Sequence, residues 1–456
     1  MVVPAAAFRV GRVRAYRRNR TWYLSYFEHG KRRQPRVGTD RAAARQLAAQ
    51  INAQLETGVP SLFGFQPLSI AELRQRWLDH HEHVRRSSLQ TIRRYRSATQ
   101  HLIDFVCKQS ALGRAADFGS QHAEDFVRYL RHKKVASNGH AKARQRPLRD
   151  AGIKFILETC CSLFNYAAKH RHLPPYADNP FRVIEVHRII VEDARPIVPF
   201  TAGQERTFLE ACDDWQFPLF LTLFCTGLRP GELVHLLLPD DLDLVSGWLH
   251  IRNKPRLGWQ VKTRNERDIP LVPALRAVLK QYLARRRTGP VFLQRRCRDG
   301  YLPPLLDLSV AHLEHELSRR ILARESESAE TSTRAGHLSI AKTIWRDLGA
   351  IREDWVRKEF MQITRSIGMP ELTAPKTLRH TFATLLQDAN VDPLIRNELM
   401  GHCAAAGGLS GVSLGMTAVY SHTRPETKRQ QLEHALASAE SVAVAQQWLL
   451  AKHSTV

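Results

Sequence analysis

Four short stretches hold side chains whose types and spacing suit chemistry on an anion. In Thr226-Gly-Leu-Arg-Pro-Gly-Glu-Leu233, Gly227 has the place of a residue just past an apolar helix over 217–225. Pro230 fits the first position of the next helix. Arg229 is thereby set at a helix start, where free N–H groups and the dipole already favour negative charge. A guanidinium there could add a two-pronged grip on a phosphate. The plainer alternative is an ion pair with Glu232, one turn on. In Thr377-Leu-Arg-His-Thr-Phe-Ala-Thr-Leu-Leu386, the side chains of Leu378, Phe382, Leu385 and Leu386 form the buried stripe of a helix. Arg379 and His380 lie beside that stripe and can point into a cleft. A third stretch starts a helix at Asp392-Pro393 and stops it at Gly401, so that His402 emerges just past its end. The fourth is Met416-Thr-Ala-Val-Tyr-Ser-His, with Tyr420 as the one tyrosine after Arg379. A tyrosine can serve as a nucleophile, although a single one is more often packing.

The charge says what the anion could be. Lys and Arg total 68 against 44 Asp and Glu, a net charge of +24, and the pI is 10.2. A field of that sign attracts polyanions and speeds their association, so nucleic acid is the expected partner. Hydrophobic residues at 43% and charged residues at 25% exclude wholesale disorder. The best apolar run, 217–228, is too short to cross a membrane, and no charged leader precedes an apolar core at the start. Seven cysteines without a C-x-x-C pair suggest neither a disulfide framework nor a zinc site. The expectation is a cytoplasmic protein with reduced thiols, no metal and no cofactor.

Three blocks must position these residues. The first is the most basic. Residues 12–16, 21–27 and a short run near 34–37 read as strands, with Asn19 and His29-Gly30 at the turns. Residues 40–57 read as a helix with Asp40 as N-cap. This three-stranded sheet plus helix could lay arginines into a DNA major groove, with Arg17, Arg18, Arg20, Lys31, Arg32 and Arg33 as the candidates. From Ser69, which begins a capping box with Glu72, to about residue 181 the pattern is helical, with helices near 88–107, 120–133 and 149–170. Residues 133–149 read as an exposed loop. Past a linker near 194–199 come further helices, a hairpin over 248–271, and a polar segment, 323–337, that reads as a mobile surface insertion. The fold class is mainly α with small β elements.

In this order the motifs resemble the tyrosine recombinase (phage integrase) family: Thr-Gly-Leu-Arg-Pro-Gly-Glu-Leu, Leu-Arg-His-Thr-Phe-Ala-Thr, Met-Gly-His, and a tyrosine near the end. Within the hairpin, Val261-Lys-Thr-Arg-Asn-Glu-Arg-Asp-Ile-Pro-Leu271 looks like the family's lysine-bearing turn, which makes Lys262 the catalytic lysine and Lys254 a weaker alternative. The resemblance implies an arm-type DNA-binding domain over 1–62 and a helical core-binding domain over 66–183. It implies a mixed helical catalytic domain over 196–435, with a surface insertion about 295–370, and a tail, 436–456, that could contact a second protomer. It further implies a site-specific recombinase in which Tyr420 attacks a DNA phosphodiester, Arg229 and Arg379 clamp the phosphate, Lys262 protonates the leaving oxygen and His402 assists. Partners would be double-stranded DNA, three further copies of the chain in a tetramer, and accessory DNA-bending or directionality proteins, in a bacterial cytoplasm or nucleoid and with no membrane. Rival readings are a DNA-relaxing topoisomerase and a DNA-binding protein that has lost cleavage. Two features depart from the family pattern. Lys376 stands where the family commonly has histidine, and a glycine-rich insertion lengthens the interval between His402 and Tyr420.

Overall fold

Alternation explains the first sheet. Along Thr21–Glu28 every second side chain is buried, namely Trp22, Leu24, Tyr26 and Glu28. In this computed structural model, which describes residues 7–59, 61–109, 112–136, 143–175, 177–193, 196, 198–327, 333–402 and 423–453, that strand is the centre of a five-stranded sheet. The three expected strands are Val13–Arg18, Thr21–Glu28 and Arg36–Gly38, and two short ones, Phe8–Val10 and Lys31–Arg33, extend them. Asn19, His29 and Gly30 all have positive φ, as the tight turns require. The helix Arg41–Glu56, capped by Asp40 accepting the Ala42 N–H at 2.9 Å, lays Ala44, Ala48 and Ile51 on the inner face.

The chain divides into two compact units, 1–195 and 196–456. Beyond the sheet, the first unit is helical: Ile70–Asp79, Leu89–Val106, Ser120–His132 and Asp150–Lys169. Ser69 and Glu72 form the reciprocal capping box. Phe126, Phe164, Phe181 and Leu157 fill a core of their own. The stretch read as an exposed loop instead carries two short paired strands, Lys134–Ala136 and Gln145–Pro147. Their side chains are mostly exposed, so no buried face announced them in the sequence.

In the second unit the wholly buried helix Gln216–Thr226 is central, flanked by Ala202–Glu210, Pro273–Leu283, Glu353–Ser366 and Lys376–Asp388. The hairpin is there, with Trp248–Ile251 antiparallel to Arg267–Pro270. The expected mobile insertion needs correction, since its described ends belong to helices Val310–Glu327 and Arg334–Asp347. Those helices are held by stripes outside the polar segment, with Leu313 and Leu317 meeting Ile340 and Ile344 in a separate small core. The C-terminal helices Pro425–Leu436 and Glu440–His453 pack on their own unit. Trp448 stacks on Phe217 at 5.1 Å, and Ser441 donates its N–H to buried Glu205 at 2.8 Å. Residues 436–453, the described part of the tail 436–456 expected to contact a second protomer, therefore lie against this chain. Among the described residues no helix is long and apolar enough to cross a membrane.

Candidate active site

The central helix ends on Gly227, whose φ of +60° turns the chain. A Cβ there would stand 2.3 Å from the Phe382 ring, so glycine also allows the helix carrying Arg379 to approach. Arg229 then precedes Pro230 at the start of one short helical turn. Its Nη1 donates to Glu232 Oε1 at 2.7 Å, and its backbone N–H donates to Oε2 at 3.0 Å. The ion pair held open as an alternative is thus present, and it fixes the direction of the guanidinium.

The same carboxylate receives a second guanidinium. Arg267, on the hairpin strand, donates from Nη2 to Glu232 Oε2 at 2.6 Å and from Nη1 to Oε1 at 3.3 Å. Its Nε donates to the Leu399 carbonyl at 2.9 Å. Sequence reasoning missed this residue. The available signal was strand alternation, which places Arg267 on the same inward face as Ile269. Arg379 is the third guanidinium, buried and donating to the carbonyls of Gly227 (2.6 Å) and Met400.

One carboxylate therefore binds two guanidiniums, and its charge also acts on the third. Burial first, then the charge of Arg229, push the Arg379 pKa down to about 9. Burial alone would raise the Glu232 carboxyl, but Arg267 and then Arg229 hold it below the usual carboxylate range. An anion entering this pocket would relieve the crowding of positive charge.

His402 follows from the next helix, Pro393–Met400, whose N-cap Asp392 accepts the Leu394 N–H at 2.7 Å. The helix closes on Gly401 at φ +65°, where a Cβ would lie 2.9 Å from Arg267 Nη1. Desolvation, then Arg379, Arg229 and Arg267, depress the His402 pKa. Lys262 is exposed in a turn beside this segment. Asn253 accepts the Val261 N–H at 2.9 Å and donates to the Arg264 carbonyl at 3.0 Å, while the Thr263 hydroxyl donates to the Gly401 carbonyl at 3.4 Å. Lys254 is instead committed to a buried ion pair with Asp241 at 2.7 Å. Lys376 is exposed at the first position of the helix Lys376–Asp388, one turn before Arg379. A cation at that end opposes the helix dipole, so helix stability does not account for it. Tyr420 lies outside the described residues. Among those described, no group of three or more His, Cys, Asp or Glu could hold a metal ion.

The N-terminal sheet has an open face opposite its helix. Pairing sets Arg9 beside Arg14, Arg14 beside Ser25, Tyr16 beside Tyr23 and Phe27 beside Arg32. Tyr16 and Tyr23 stack at 5.7 Å, and Phe27 is 67% exposed. Of the six basic candidates, Arg18 and Arg32 share this face. Arg20 stands exposed in a turn, and Arg17 and Lys31 are exposed with the opposite register. Arg33 lies 3.6 Å from buried Glu28. Alternation would have added Arg14 and Tyr16 to the candidates.

Residues 200–426 match the family model described as the phage integrase family. The tyrosine recombinase XerC of Rhodospirillum centenum is 24% identical over 385 residues, which are 82% of this chain and 92% of that protein. The chain belongs to the phage integrase family of tyrosine recombinases. A second XerC, from Pelotomaculum thermopropionicum, is 29% identical over 46% of this recombinase and 49% of its own length. Among solved structures, the Tn1549 transposon integrase in complex with a circular intermediate DNA is 17% identical, with a TM-score of 0.45 over 80% of this chain and 99% of that one. A lambda integrase dimer bound to a COC′ core site is 15% identical, with a TM-score of 0.46 over 85% of this chain and 91% of that one. The recombinase is thus an enzyme of DNA strand cleavage and rejoining.

Proposed function

We propose that this recombinase integrates or excises a mobile element by site-specific strand exchange. The observation that carries the reading is the group of buried Arg267 and Arg379 and half-buried Arg229, two of them bonded to Glu232, with His402 and the Lys262 turn beside it. Such a pocket suits a phosphodiester whose charge grows during attack. The Tyr420 oxygen bonds to phosphorus as the bond to the 5′ oxygen breaks, leaving a 3′-phosphotyrosyl link and a free 5′ hydroxyl. Covalent storage of the bond lets the strand rejoin a new partner without ATP. Arg229 and Arg379 hold the non-bridging oxygens, and Lys376 adds a donor to the phosphate. Lys262 protonates the leaving oxygen, and His402 takes the tyrosyl proton. The sheet's basic and aromatic face and the helical domain would address duplex DNA, and four copies would assemble on two duplexes, in a bacterial cytoplasm or nucleoid.

The test is covalent trapping on nicked duplexes that carry sequence from the element's ends. Digestion of the adduct and mass spectrometry should find the nucleotide on the peptide containing Tyr420. A nucleotide on another residue would move the nucleophile, and bound DNA without any adduct would favour a binding-only protein.

A pH dependence accompanies the role of His402. With its pKa depressed, the imidazole is neutral and able to accept a proton at pH 7. The rate of adduct formation should rise through an acid limb centred below about pH 6.5, the ordinary value for histidine. His402→Gln should flatten that limb. A limb centred above that value, or one unchanged in the variant, would remove His402 from proton transfer.

A further inference from the structure

The Lys262 turn is the tip of a long excursion between the hairpin strands, and only the end of its first part, Trp259, reaches the main core as well as a second, smaller one. Leu257 is buried instead in the small core between the helices Val310–Glu327 and Arg334–Asp347. The Trp345 indole N–H donates to the Leu257 carbonyl at 2.9 Å. Gly258 approaches the helix so closely that a Cβ would stand 2.6 Å from the Ala341 methyl. Trp259 stacks on His235 at 4.7 Å, and the edge of that imidazole meets Trp345 at 4.6 Å. Burial pushes the His235 pKa down to about 4, so the ring is neutral. The Lys254–Asp241 ion pair closes the base of the same loop. Lys262 thus stands three residues beyond an anchor on the helical pair and one residue beyond Val261, which is anchored in the main core.

We infer that the helical pair 310–347 is a brace for the lysine turn, with Trp345 a positioning residue for proton donation by Lys262 to the leaving 5′ oxygen. This rests on the proposed role of Lys262. Without the brace, residues 255–258 lose the small core, and the lysine turn is held from its Val261 side alone. Positioning of a proton donor is worth on the order of a hundredfold or more when fully lost.

The step has a chemical signature. When the P–O5′ bond breaks, the departing oxygen needs a proton, whereas a sulfur at that position leaves as a thiolate and needs none. Single-turnover adduct formation should therefore be compared on nicked duplexes with a 5′-bridging oxygen and a 5′-bridging sulfur. Trp345→Ala should be slowed about tenfold or more on the oxygen substrate and match the unaltered protein on the sulfur substrate. Trp345→Phe keeps an aromatic ring while losing the N–H and part of the packing, and should show a smaller loss with the same recovery. Lys262→Ala is the reference for that pattern. Equal slowing of both Trp345 variants on both substrates, or no slowing on oxygen, overturns the brace while Lys262 keeps its role. If sulfur fails to restore Lys262→Ala, the proton-donor assignment falls, and the brace with it.

Discussion

Arg379→Lys should lower the rate of strand cleavage by about a hundredfold to a thousandfold, the loss that follows removal of one preorganised donor, or ~3–4 kcal/mol. Arg379 spends one N–H on the Gly227 carbonyl and another on that of Met400, which ties the central helix to the segment carrying His402. The planar fork can reach both carbonyls and still present an edge to a phosphate. A lysine offers one nitrogen and cannot satisfy two carbonyls and a phosphate together. Its ammonium would also be harder to desolvate at a site where even the guanidinium is pushed down to about 9. DNA affinity, measured by gel shift, should change little, because lysine keeps the charge and Arg379 is one of 68 cationic residues. Single-turnover adduct formation checks the rate. A variant within a few-fold of the unaltered protein would show that Arg379 is structural only.

The second large effect is on stability. Glu232→Ala should destabilise the second unit by about 3–5 kcal/mol, the usual result of removing one partner from a buried ion pair. Among the described residues Glu232 is the only carboxylate bonded to Arg229 and Arg267, and the Arg267 side chain is 4% exposed. Its removal leaves neighbouring cations in a poorly solvated pocket with nothing to balance them. Thermal unfolding should shift down by on the order of 10 °C, and sulfate should recover part of the loss by occupying the pocket. An unchanged transition would mean that water already shields these guanidiniums. Cleavage should fall as well, since Arg229 loses the partner that aims it.

Much of this arrangement was legible in the sequence, for identifiable reasons. Helices such as Leu89–Val106 and Asp150–Lys169 carry apolar stripes, the first with a Ser88 cap as well, and they fall within a residue or two of their expected limits. Gly227, Pro230 and Gly401 are backbone signals with few other uses, so they located Arg229 and His402. What stayed hidden depends on partners distant in the chain. Arg267 reads as one more basic residue until the strand is seen to face inward against Glu232. The segment 323–337 lacks large apolar side chains, and the helices that include its ends are held by residues outside it. On the sheet, counting arginines favoured Arg17 and Arg33, whereas the pleat sorts the face by alternate residues and selects Arg14, Tyr16 and Arg18.

The pocket also bears on when the enzyme becomes dangerous. Its bonds join residues 35, 132 and 152 positions apart, so no local piece of chain can assemble it. A ribosome releases the Thr226–Leu233 segment long before Arg379 emerges, and Tyr420 comes later still. On the proposed roles, a nascent or truncated chain would hold DNA through its early basic sheet while lacking the means to cut it. For a protein that breaks DNA as its trade, the order of synthesis works as a safety catch.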